Sequence, residues 1–242
     1  MRLNALVILT TILAALGWAA PSSAVNPNDV QRLLNGYECR GCDLRGVNLQ
    51  RVNLHKVDLR GANLQGANFN QADLFGAYLD GANLQDARLS QANLSRASLE
   101  GVNFYRADLR GVDFSHAFLA RSNFRLARME NANLFNANLT EAFLDRANAF
   151  STNFRRASLF RVSLEDANLS SANLSYADLR GTNLNGTNLS NTDLRKANLS
   201  GTNLIFADIS GANMRGANLR QTEVEVVVCY LNHTDCASRI EP

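Results

Sequence analysis

The chain has 242 residues, with 24 Lys+Arg against 22 Asp+Glu and 46% hydrophobic residues, for a formal net charge of +2. So balanced a charge excludes a general nucleic-acid binder and a strongly acidic imitation of one. The length by itself allows one or two domains, and the composition is that of an ordinary folded chain.

Residues 1–24 differ from everything after them. Arg2 gives a positive start, Leu6 to Leu16 form an apolar run broken only by Thr10 and Thr11, and Ser22-Ser23-Ala24 supplies small residues for cleavage. The run falls short of the roughly 20 residues a bilayer span needs. A signal peptide cut after Ala24 is expected, leaving an exported chain that is not an integral membrane protein. Removing one basic residue leaves 24 − 1 = 23 Lys+Arg against 22 Asp+Glu.

Residues 25–41 read as an N-terminal cap. Asn26-Pro27-Asn28 offers a helix N-cap with Pro at the first turn, and Asn35-Gly36 a stop. Val30, Leu33 and Leu34 are the candidates to pack on the segment after the cap.

From Cys42 to Leu219 a frame of five runs without insertion, with 36 centres from Leu44 to Leu219. Of these, 27 are Leu, five are Phe, two are Met, and the others are Ile209 and Ala149. Two residues before the centre, 23 of 36 are Ala; between the two sits Asn 20 times and Asp eight times. An α-helix cannot use this pattern, because five steps of about 100° scatter the leucines around every side. A flat strand fails as well, since an odd repeat sends successive leucines to opposite faces. What remains is a short extended piece followed by a bend in every repeat. Gly46, Gly61, Gly66, Gly76, Gly81, Gly101 and Gly111, two residues past their centres, suit bends that need positive φ.

Stretches such as Ala62-Asn63-Leu64-Gln65-Gly66 and Ala167-Asn168-Leu169-Ser170-Ser171 resemble the pentapeptide-repeat proteins, whose consensus is A-(D/N)-L-X-X. The resemblance implies an all-β fold, a right-handed quadrilateral β-helix over 42–221 with four repeats per coil. Thirty-six repeats then make nine coils, a rod of roughly 43 Å at the spacing of stacked strands. Its ends need caps. Val224-Glu225-Val226-Val227-Val228 and the cysteines beyond it predict a disulfide-closed C-terminal cap over 222–242.

Four cysteines in an exported chain read as two disulfides, with Cys39 and Cys42 near one end and Cys229 and Cys236 near the other. Their placement at opposite ends excludes a zinc site built from all four. The Cys39-Arg-Gly-Cys42 spacing also fits a thiol-disulfide enzyme, which is the alternative function. His55, His116 and His233 carry no motif. No catalytic residue, metal site or cofactor is expected.

Residues about 20 apart should stack into outward columns. Arg88, Asp108 and Arg128 predict an exposed ladder of alternating charge. One corner gathers His55, Lys56, Arg96, His116, Arg155, Arg156, Arg195, Lys196 and Arg215 with no Asp or Glu, a candidate strip for an anionic partner. Asp73, Asp113 and Asp193 dilute it from the adjoining side. Tyr78, Phe118 and Phe143 stand where Asn or Asp is usual, and Phe150 follows the small centre Ala149; these aromatics are candidate contacts. The expected function is a non-enzymatic scaffold for a protein partner whose identity the sequence does not reveal, and a rod with two ends allows end-to-end self-association. Similarity to exported members of the family points to the thylakoid lumen or periplasm. An imitator of DNA, as some members are, is disfavoured by the charge and the export signal.

Overall fold

The computed structural model describes residues 26–36 and 38–224. The expected signal peptide, the bulk of the C-terminal cap, and Cys229, Cys236 and His233 lie outside the described residues.

Helix α1 spans Pro27–Gly36. The Asn26 side chain accepts the Asn28 amide at 3.0 Å, and proline at the first helical position gives up only an N–H that would have been orphaned. Leu33 is buried and Val30 packs against the same core, whereas Leu34 is exposed. Leu34 therefore does not cover the first coil. Asp29 links α1 to the solenoid: its Oδ2 accepts the Asp43 amide at 2.9 Å.

Beyond α1 every repeat solves one problem, which is how five backbone N–H groups find acceptors. In the repeat Ala62–Gly66, the Ala62 amide closes a turn on the Leu59 carbonyl at 3.0 Å. The Asn63 amide reaches down to the Cys42 carbonyl at 2.8 Å, while those of Leu64 and Gly66 reach up to Asn83 and Gln85 at 2.8 and 2.9 Å. The fifth amide, on Gln65, is left without a backbone acceptor, and the Asn63 side chain supplies one at 3.3 Å. This is the reason Asn or Asp precedes the centre: each caps the turn two residues on. Asn does more, since its Nδ2 can donate to the residue one coil below, as Asn103 does to Asn83 and Asn123 to Asn103 at 3.0 and 3.1 Å.

Parallel bridges join the residue before each centre to the one 20 further along, from Glu38↔Asp58 to Asn203↔Glu223. Twenty residues divided among repeats of five give four faces per coil, and the chain is an all-β solenoid. The strands shrink to single bridged residues because a turn intervenes in every repeat. The ladder begins at Glu38, one repeat earlier than the frame read from the sequence, because Cys39 takes a centre position that a count of Leu and Phe overlooks.

The interior is a single core. Centres and their Ala partners are almost wholly inaccessible, Phe104, Phe114 and Phe124 among them; the Phe104 and Phe124 rings stack at 4.9 Å with Phe114 edge-on at 5.7 and 6.1 Å. Where Thr replaces Ala, the buried hydroxyl finds a carbonyl: Thr152 donates to Met129 and Thr187 to Leu164, at 2.7 and 2.8 Å. Ala149 does not break the coil. Its amide bonds to the Asn168 carbonyl at 2.7 Å, the large Phe154 is the next centre, and Phe150 stays outside.

Turns repeat as regularly as strands. The second residue past every centre, from Gly41 to Gln221, has φ between 54° and 72°. Thirteen of these residues are Gly and 24 are not. Left-handed geometry was expected at the glycines; here cooperative stacking imposes it on Arg, Lys, Leu and Tyr as well, against an intrinsic preference of about 1–2 kcal/mol each.

Candidate functional site

With side chains filling the interior, chemistry is left to the outward columns and the corners between faces. Four faces can be numbered from the columns that begin at Asp43, Asn48, Asn53 and Asp58. The corner between faces 3 and 4 is the one picked out by charge, and the 20-residue register stacks its members in line.

Two of its members are paired locally. His55 Nε2 bonds Asp73, and Arg195 grips Asp193 with two contacts at 2.9 and 2.7 Å. The others are gathered differently. Arg155, Arg156 and Lys196 converge on the exposed ring of Tyr176, with charge-to-centroid distances of 5.8, 5.9 and 5.4 Å. Arg155 also lies 5.9 Å from the Phe135 ring. His116 meets the Phe135 ring edge-on at 5.5 Å and bonds Asn136 at 3.2 Å. Among the described residues no carboxylate lies within ion-pair distance of Lys56, Arg96, Arg155, Arg156, Lys196 or Arg215. Tyr176 was absent from the sequence expectation, although its place two residues past a centre, between Arg156 and Lys196 in the 20-residue register, was enough to find it.

The aromatic candidates do not form one surface. Tyr78 and Phe118 share face 4, two coils apart with Ser98 between them, and are exposed at 45% and 58%. Phe143 lies on face 1 under Arg125, whose charge is 4.3 Å from the ring centroid. Phe150 is on the corner between faces 2 and 3. Leu126 and Phe206 are also exposed and were not foreseen. Neither breaks the repeat, since Leu126 and Phe206 take the same positive φ, 58° and 57°, as the other residues at that position.

Arg88, Asp108 and Arg128 do stack in register, but they form no charge ladder. Asp108 turns instead to Arg110, two residues on, at 2.6 Å, and Arg128 leans toward Glu130 at 3.8 Å. The reason is local: an Asp that caps the turn holds its carboxylate beside the first turn residue, where an arginine can wrap back in a fork. The same Asp-Leu-Arg arrangement pairs Asp43 with Arg45, Asp58 with Arg60, Asp178 with Arg180 and Asp193 with Arg195, at 2.6–2.7 Å. Hydrogen bonds from these arginines hold the carboxyls of Asp43, Asp108, Asp178 and Asp193 below the usual carboxylate range.

Cys39 and Cys42 form a disulfide, and both are buried in the first coil. The bond bridges the turn that the Cys42 amide closes on the Cys39 carbonyl at 3.2 Å. A substrate thiolate could reach these sulfurs only after that coil opened. Among the described residues no group of His, Cys, Asp and Glu could hold a metal ion, and no helix is long and apolar enough to cross a membrane.

The family described as pentapeptide repeats matches in eight overlapping stretches that run from residue 38 to residue 221. The chain belongs to this family. Members of the pentapeptide-repeat family fold as right-handed quadrilateral β-helices. No curated protein matches the sequence. Among solved structures, the plasmid-mediated fluoroquinolone resistance protein QnrB1 is 22% identical with a TM-score of 0.63, over 75% of this chain and 89% of that one. HetL, a pentapeptide-repeat protein involved in heterocyst differentiation regulation in the cyanobacterium Nostoc, is 27% identical over 82% of this chain and 97% of its own, with a TM-score of 0.34. A pentapeptide-repeat protein of the Arabidopsis thaliana thylakoid lumen is 29% identical over 48% and 63%, with a TM-score of 0.24.

Proposed function

We propose that this pentapeptide-repeat protein is a non-catalytic scaffold, exported to the thylakoid lumen or periplasm, whose nine-coil rod holds a protein partner on face 4. The observation that carries the reading is the pair Tyr78 and Phe118. Both occupy a position where Asn or Asp would supply the missing acceptor for the turn, so each ring displaces a stabilising cap and leaves apolar surface in water. A residue that works against its own fold is accounted for by a contact it makes elsewhere. Tyr78 is further dressed by Arg60, whose charge lies 5.6 Å from the ring centroid, which gives that end an aromatic–cation surface of the kind enriched at protein interfaces.

Restoring the consensus tests this reading. Tyr78→Asn and Phe118→Asn together should raise the thermal midpoint by a few degrees, because two turns regain their caps at about 1 kcal/mol each or less. The same variant should lose capture of a partner from extracts of the protein's own compartment. Undiminished capture by the more stable variant would remove face 4 from consideration.

A further inference from the structure

We infer that the corner between faces 3 and 4 is a docking edge for an anionic lipid bilayer, along which the rod lies flat as a peripheral protein. The proposal rests on the reading of the rod as a surface-displaying scaffold, but not on the partner proposed for face 4.

Charge singles this corner out. Across its nine coils it carries seven Lys/Arg and two His with no acidic residue, whereas the corner between faces 1 and 2 has four Lys/Arg against four acids. Of the five carboxylates on the flanking faces between His55 and Arg215, Asp58, Asp178 and Asp193 are paired with Arg60, Arg180 and Arg195, Asp73 bonds His55, and Asp113 accepts from Asn133. The rings that interrupt the cations, Phe75, Phe135 and Tyr176, are aromatic. Tyr176 stands out at 46% exposure, and Phe75 and Phe135 are half-buried. Basic residues interleaved with rings of this type are what an interfacial surface presents.

Shape decides between anionic partners. A corner of a solenoid is convex and has no groove to enclose a small oxyanion. It is also uninterrupted, since the register holds at 20 residues from Glu38 to Glu223, so the strip from His55 to Arg215 extends about 38 Å at the spacing of stacked strands. A long convex edge meets a broad planar surface at more points than it meets a globular protein. Convergence of Arg155, Arg156 and Lys196 within 6 Å of one ring centre concentrates positive charge that a surface of lipid phosphates would neutralise.

The test uses the purified, naturally processed protein, so that no signal segment contributes, and vesicles of phosphatidylcholine alone or mixed equally with phosphatidylglycerol. Flotation should recover the protein with the anionic vesicles only, and high salt should release it. Each basic residue near such a surface multiplies partition about fivefold, so the triple variant Arg155→Gln, Arg156→Gln, Lys196→Gln should bind about a hundredfold more weakly. Arg106→Gln, Arg125→Gln and Arg146→Gln, which remove the same charge from the corner between faces 1 and 2, should change it little. Equal binding to both vesicle types, or equal losses in the two triple variants, would overturn the proposal. So would retention on immobilised polyglutamate without flotation, which would assign the strip to an acidic protein instead. The face 4 variant Tyr78→Asn, Phe118→Asn should still float, so failure of either proposal leaves the other readable.

Discussion

At the scale of single residues, the position before each centre is the most constrained outside the core. At 28 of the 36 positions (20 Asn and 8 Asp) its side chain can present an acceptor to the amide two residues on, and Asp and Asn do so in different ways. Asn adds a donor for the coil below; Asp adds a charge that a following arginine can grip. Asp108→Asn separates these contributions, because it keeps the cap and abolishes the pair with Arg110. The carboxyl of Asp108 is held below its ordinary value by the Arg110 hydrogen bond, so its contribution is present above about pH 4 and is lost as pH falls through the depressed value. The variant should therefore be slightly less stable than the parent at pH 7, and its stability should fall less between pH 4 and pH 2. Urea midpoints at the two ends of that range measure the difference; parallel losses in both proteins would show that the pair contributes nothing.

At the scale of elements, the first coil is held by unlike devices. Helix α1 covers it with Leu33, Asp29 occupies an amide of the opening strand, and the Cys39–Cys42 disulfide closes its first turn. A solenoid unzips most easily from an end, where each coil has a neighbour on one side only. The disulfide restrains that end. Cys39→Ala with Cys42→Ala should cost about 2 kcal/mol, the closure entropy of so short a loop. Hydrogen exchange should show the loss confined to the amides of the first coil, with the coils above it protected as before. Dithiothreitol should reproduce the effect in the parent and do nothing further to the variant. This element was half legible: Cys39 and Cys42 were the nearest pair in sequence and Cys42 already stood at an inward position of the frame, but that Cys39 would also serve as a core residue depended on the frame beginning one repeat earlier.

At the scale of the whole molecule, the repeat separates fold from function. Any deletion of five residues keeps the frame and rotates the distal coils by one face, whereas a deletion of 20 keeps the columns aligned. Removing residues 138–142 should leave the circular dichroism of the rod intact and carry Arg155, Arg156 and Lys196 onto a different corner from Lys56 and Arg96. Vesicle partition should fall about fivefold, because the proximal corner brought into line offers Arg51 and Arg110 in place of Lys56 and Arg96 but adds Glu130. Removing residues 118–137, which takes no corner cation away, should leave partition within about twofold. Tighter partition by the five-residue deletion, which loses only Glu141 while the 20-residue deletion loses three Arg and Glu130, would mean that net charge, not alignment, governs the contact.

Everything the period controls was legible in the residues alone. A five-residue frame with a large apolar centre admits neither a helix nor a flat strand, so the bend in each repeat comes from counting, while the solenoid of four repeats per coil and the stacking of residues 20 apart came from the resemblance to the family. Contacts set by side chains that have a choice stayed open. Asp108 could face a cation one coil away or one two residues on, and the nearer arginine wins because the turn already aims the carboxylate at it. Tyr176 was one aromatic among many until three cations closed around it. Only packing in three dimensions settles such contacts, because the repeat sets where a side chain starts, while where a long one ends depends on its neighbours above and below.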